Sequence, residues 1–140
     1  MHLHRTPLRS ALNGVLRTLA ALPLVLAASQ AGAQQKPSDF PLDAVGYLNE
    51  ELPRMEAAIA AKDRSFFHGA MVRTVQFSER WGFKVTANPD LAAYPMCTAA
   101  VMDYAVVGMC RLAPSDECEP GLPSRFDANV QRCREVATRK

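Results

Sequence analysis

The sequence predicts an all-α protein, a small four-helix bundle stapled by two disulfides in a C-terminal helical hairpin. Three observations carry this. Apolar residues recur at helical spacing in four successive segments. The joining segments are short and rich in proline, glycine and capping residues. All four cysteines, Cys97, Cys110, Cys118 and Cys133, fall in the last third of the chain. Helical segments with short connections favour an up-and-down bundle, because each apolar stripe must be buried against a neighbour.

The chain opens with Arg5, Arg9 and Arg17 and no acid, followed by the apolar stretch 19–28 and the small-residue sequence Ala31-Gly32-Ala33. A basic start, a short apolar core and a small-x-small end, in that order, read as a cleavable secretory signal peptide over 1–33, cut near Ala33–Gln34. A spanning helix needs about 20 apolar residues; this run is half as long and contains Pro23. The expected location is the periplasm or the exterior, with no membrane attachment after cleavage.

Removal of residues 1–33 takes away three arginines and no acid, so the net charge falls from +2 to −1. The apparent basicity belongs to the leader, and a nucleic-acid surface, which needs a clustered basic face, is not expected. His2 and His4 leave as well, so His68 remains alone. The 107 residues that follow suffice for one domain with one core.

In an oxidising compartment four cysteines read as two bridges. If 95–112 is one helix, Cys97 and Cys110 lie about 20 Å apart along it, too far for a disulfide. Against a last helix over 124–137, Cys97 and Cys133 sit at the open end of the hairpin and Cys110 and Cys118 at the loop end. The expected pairs are Cys97–Cys133 and Cys110–Cys118; the crossed pairing is the alternative. With 12, 7 and 14 residues between successive cysteines, neither a redox C-x-x-C nor a zinc knuckle is signalled.

Residues 34–41 read as a mobile lead-in to a single helical domain over 42–140. Val45, Leu48, Leu52, Met55 and Ile59 mark one helix face, and Pro53 makes the segment one kinked helix or two short ones. Asp63 or Ser65 is a candidate N-cap for the next helix, in which Phe67, Ala70, Met71, Thr74, Phe77 and Trp81 share a face and Gly82 closes the end. The β-branched and aromatic run 72–77 leaves a strand as the alternative. Asn88-Pro89-Asp90 is a helix start, Pro95 restarts or kinks it, and 96–109 is apolar nearly all round, the mark of a central helix. Residues 113–123 form a loop, and Phe126, Val130, Cys133 and Val136/Ala137 face inward on the last helix, with Ser124 and Asp127 fitting its cap pattern.

No serine–histidine–aspartate set, paired carboxylates or glycine-rich phosphate loop is visible, so no enzyme activity, no metal and no cofactor is expected. The candidate binding residues are Asp103, the one charge on an apolar helix, together with His68, Trp81 and Arg73. Asp103 must face water or a cation, with Arg111, Arg73, Arg80 and His68 as possible partners. The methionines (Met55, Met71, Met96, Met102 and Met109) sit at core spacing and read as core filling. The expected function is that of a non-enzymatic exported protein that binds another protein, in a narrower form an inhibitor or immunity-type protein for a toxin or lytic enzyme. The alternative is a small-ligand or copper carrier using the bundle interior, lined by Met102, Met109 and Asp103.

Overall fold

The computed structural model describes residues 35–113 and 118–139. The expected signal peptide lies outside the described residues, as do residues 114–117 of the third loop. Four α-helices are seen in the described residues: α1 (Phe40–Ala60), α2 (Phe66–Arg80), α3 (Pro95–Leu112) and α4 (Leu122–Thr138). Helix α3 packs against all three others, α1 also packs against α4, and α1 and α2 touch only sparingly. The central position of α3 follows from its composition: Cys97, Ala100, Val101, Tyr104, Ala105, Val107, Gly108 and Cys110 are buried around most of its circumference. None of the described helices is long and apolar enough to cross a membrane.

Helix α1 begins earlier than the lead-in expected over 34–41. Phe40 and Pro41 already belong to it and are buried. Phe40 packs edge-on against Trp81 (ring centroids 5.1 Å) and Phe83 (5.6 Å), which gives the helix start a core contact of its own. The helix runs through Pro53 as one element, the first of the two alternatives. Its buried face is rotated from the expected stripe: Ala44, Leu48, Glu51, Met55 and Ala58 are buried, whereas Val45, Leu52 and Ile59 are half-buried.

The turn after α1 uses Lys62 in the left-handed region (φ 55°). Ser65 occupies the N-cap position of α2, yet the capping oxygen comes from Asp63, whose Oδ1 accepts from the backbone N–H of Ser65 (2.9 Å) and Phe66 (3.3 Å). Residues 72–77 are helical, so the strand alternative fails. Gly82 closes α2 at φ +68°. The Asn88 side chain caps as expected, accepting from the Asp90 N–H, but what it starts is a single 3-10 turn over Pro89–Leu91. The long helix starts at Pro95. Helix α4 starts two residues before the expected boundary, after Gly121 in the left-handed conformation (φ 79°), and neither Ser124 nor Asp127 caps it.

Both expected disulfides are present, Cys97–Cys133 (Cα–Cα 4.9 Å) and Cys110–Cys118 (5.8 Å). The first ties the start of α3 to the end of α4 inside the core; the second ties the end of α3 to the following loop. Gly108 marks the tightest approach in the bundle, where a Cβ would run into the Phe67 ring and stand 2.9 Å from the Met55 sulfur.

Candidate functional site

Helices α1 and α2 touch only sparingly, and an open cleft of about 600 Å³ lies between them. The helices run antiparallel across it, as the pairings Glu51–Arg73, Tyr47–Phe77 and Phe40–Trp81 show. Its floor is a buried carboxylate. Glu51, 2% exposed, falls in the apolar stripe of α1 between Leu48 and Met55. Its two oxygens accept from Arg73 Nε (2.7 Å) and Nη2 (2.8 Å) in a bidentate pair. Arg54 Nη1 donates from the same helix (3.1 Å), and the Tyr104 hydroxyl donates from α3 (2.9 Å). One side chain thus joins α1, α2 and α3.

Burial is the largest single influence on the Glu51 carboxyl and pushes it up. The hydrogen bonds from Arg73 and Tyr104 and the charges of Arg73 and Arg54 outweigh it together and hold the group below the ordinary carboxylate range. Tyr104 is raised by burial and by its bond to the Glu51 carboxylate, so it stays a donor. Beside them the Tyr47 hydroxyl shares a hydrogen bond with Thr74 Oγ1 (2.9 Å), and its ring lies 4.8 Å from that of Phe77. The arginines on α2 are held by aromatic faces: Arg73 lies over Phe66 (5.3 Å) and Arg80 over Phe77 (5.0 Å).

Of the binding residues expected from sequence, Arg73 alone reaches this cleft. His68 is exposed on α2 outside it. Trp81 is buried in the aromatic cluster with Phe40, and its indole N–H has no hydrogen-bond partner among the described residues. Asp103 is half-buried and makes no ion pair among the described residues; burial raises its carboxyl, partly offset by the charge of Arg125. The cations proposed for it are engaged elsewhere or lie apart from it. Arg111 bridges Glu56 (3.1 Å) and Asp127 (2.7 Å), tying α1 to α4, and Arg73 holds Glu51.

Exposed aliphatic side chains also lie on α2 and on α3. Met71 (57% exposed), Val72 (55%) and Val75 form an aliphatic stripe on α2, and Met102 (41%) and Val106 (51%), one turn apart, form one on α3. Met71 and Met102 were expected in the core. Helix α2 instead buries Phe67, Ala70, Thr74, Phe77 and Ser78, which leaves Met71 on the flank. With Met102 exposed and Asp103 and Met109 half-buried, these three do not surround an interior space as the carrier alternative requires. Phe67, Phe77, Trp81 and Phe83 are in the core, with Phe66 half-buried at its edge. Among the described residues no group of three or more histidine, cysteine or acidic side chains is placed to hold a metal ion.

No protein-family model, curated protein or solved structure matches the chain.

Sequence reasoning missed Glu51, the residue that organises the cleft. A signal was available: three residues after Leu48 and four before Met55, it sits on the same helix face as both. A charge inside an apolar stripe calls for a partner cation on a facing helix, and Arg73 was already a candidate.

Proposed function

We propose that this chain is an exported, non-catalytic binding protein that engages another protein through the aliphatic face of α2 and α3. The observation that carries the reading is the pair of unpartnered stripes, Met71, Val72 and Val75 on one helix and Met102 and Val106 on its neighbour. Aliphatic side chains grouped on packed helices gain nothing from water, and apolar surface of this kind marks protein contacts. The frame that presents them is stiffened by the Cys97–Cys133 and Cys110–Cys118 bridges, which also favour an oxidising compartment. The narrower form is an inhibitor or immunity-type protein that caps a toxin or lytic enzyme, for which small size, export and a rigid face are suitable.

The test uses the oxidised chain beginning at Gln34. Wild type and a variant carrying Met71→Glu, Val75→Glu, Met102→Glu and Val106→Glu are immobilised and exposed to periplasmic extract. The reading expects one stoichiometric partner, retained by wild type and lost by a variant that keeps the same helical circular dichroism. Equal capture by both, no capture by either, or a wild-type homodimer that the variant dissolves would each overturn it. N-terminal sequencing of the exported protein checks the export step: Gln34 is expected as the first residue, and an intact 1–33 segment would oppose it.

A further inference from the structure

The connection from α2 to α3, residues 81–94, lies against the first half of α3 and leaves a groove of about 410 Å³ between them. Phe83 and Leu91 line it although both belong to the core, so the apolar interior reaches the surface at this point. Ala87, Pro89 and Ala92 complete the loop wall, and Pro95, Ala99 and Met102 stand on the helix wall. Among the described residues no charged side chain lines the groove.

Charges are close by in the sequence, and each is kept off the groove. Lys84 follows Phe83 and is held by Glu79 of α2 (2.5 Å). Asp90, between Pro89 and Leu91, lines an adjoining dimple with Arg80 and Trp81 instead. Asp103 follows Met102 but lies in the field of Arg125 and Glu119. The two polar residues of the lining are engaged by the chain itself. Asn88 Nδ2 donates to the Trp81 carbonyl (2.8 Å) while Oδ1 accepts from the Asp90 N–H (3.0 Å), and Thr98 Oγ1 donates to the Pro95 carbonyl (3.0 Å). These bonds and the fixed φ of Pro89 and Pro95 hold both walls in place. The groove is therefore formed before anything enters it, and filling it orders little.

From a concave, preformed lining that excludes its neighbouring charges, we infer that the groove between residues 81–94 and α3 binds a small, uncharged, largely apolar molecule. Its volume is in the range of small-ligand sites. Affinity comes from apolar ligand surface withdrawn from water against Phe83, Leu91 and Met102. Selectivity comes from the missing charges: an ionised group entering the groove loses hydration and finds no partner. The inference goes beyond the protein-docking reading. Of the aliphatic residues assigned to that contact, Met102 alone lines the groove.

The experiment is fluorescence titration of the oxidised chain with neutral N-phenylnaphthylamine and with its anionic relative anilinonaphthalene sulfonate. Trp81, the one tryptophan of the chain, serves as energy donor to either probe. The neutral probe is expected to bind at micromolar concentration with one equivalent per chain, and the sulfonate about tenfold more weakly or worse. Ala92→Phe and Ala99→Phe fill the groove from opposite walls. Each should weaken the neutral probe by about tenfold or more with helical circular dichroism unchanged. Ala92 is exposed, so its replacement leaves the core untouched. Ala93→Phe, beside it but outside the lining, should bind like wild type. No binding of the neutral probe, equal binding of the two probes, or unchanged binding in Ala92→Phe would overturn the inference. So would loss of a protein partner from Ala92→Phe, which would make the groove part of the protein contact. Met71→Glu with Val75→Glu should bind the neutral probe like wild type, so failure of the protein-docking reading and failure of this one are told apart.

Discussion

Arg73→Met tests the charge network most directly. Methionine keeps an apolar stem against Phe66 but removes both donors to Glu51, leaving a 2%-exposed carboxylate with Arg54 and Tyr104 as its partners. Breaking a buried pair from one side costs about 3–5 kcal/mol. Arg73 is itself about a third exposed at the cleft, and Arg54 remains 3.1 Å away, so the lower end applies, about 3 kcal/mol. For a domain of this size each kcal/mol moves Tm by about 4–8 °C, so a fall of about 12–24 °C is expected in thermal circular dichroism at pH 7. Replacing both residues, Glu51→Met with Arg73→Met, removes the stranded charge and should recover most of that loss.

A pH series supplies the second arm. The folded Glu51 carboxyl lies below its ordinary value of 4.5. Its contribution to stability is therefore complete above about pH 4.5 and is lost as pH falls through the lower folded value. Without Arg73, burial gains weight against the remaining bonds, the folded value rises, and the acid-side loss becomes shallower. A Tm of Arg73→Met within about 2 °C of wild type, or an unchanged acid limb, would refute the placement of Glu51 as a paired buried charge.

Three further outcomes follow from the packing. Serine replacement of the Cys97–Cys133 pair, which closes a 36-residue separation, should cost about 4 kcal/mol by the loop-entropy relation, against about 2.5 kcal/mol for Cys110–Cys118 with a separation of 8; urea midpoints should rank the two in that order. Gly108→Ala should destabilise by about 1–3 kcal/mol, since the new methyl meets Phe67 and Met55 in a packed core, and an unchanged urea midpoint would contradict the close approach of α3 to α2. Arg111→Met removes the bridge between Glu56 and Asp127, but both acids are exposed, so double-mutant cycles should return less than about 1 kcal/mol per pair.

The helices of the C-terminal half were the most legible elements. The apolar circumference of 96–109 makes it central, and the rise along a helix by itself excludes a Cys97–Cys110 bridge. Where the sequence offered two readings, as at 72–77, burial decided: Thr74 and Phe77 share the face that Phe67 and Ala70 turn inward, a pattern with a period that only a helix satisfies. The candidate site was far less legible. Arg73 was visible as a candidate cation for Asp103, but its actual partner was not, because Glu51 looked like one more charge on a helix with an exposed side.

Local chemistry therefore accounts for the fold class, the helix positions, the capping at Asn88 and Gly82, and the two bridges. These depend on spacing along one chain segment, and spacing is written in the sequence. What tertiary structure alone decided is which flank of each helix meets a neighbour. The rotation of α1 brought Glu51 inward, the choice of buried face on α2 left Met71 and Val75 outside, and the sparse packing of α1 on α2 left an open cleft between them. A hydrophobic stripe specifies its own facing direction only to within a residue or two, because alanine, threonine and serine can be buried or exposed at small cost. The final few tens of degrees are set by the volumes of the facing side chains, and those belong to the assembled bundle.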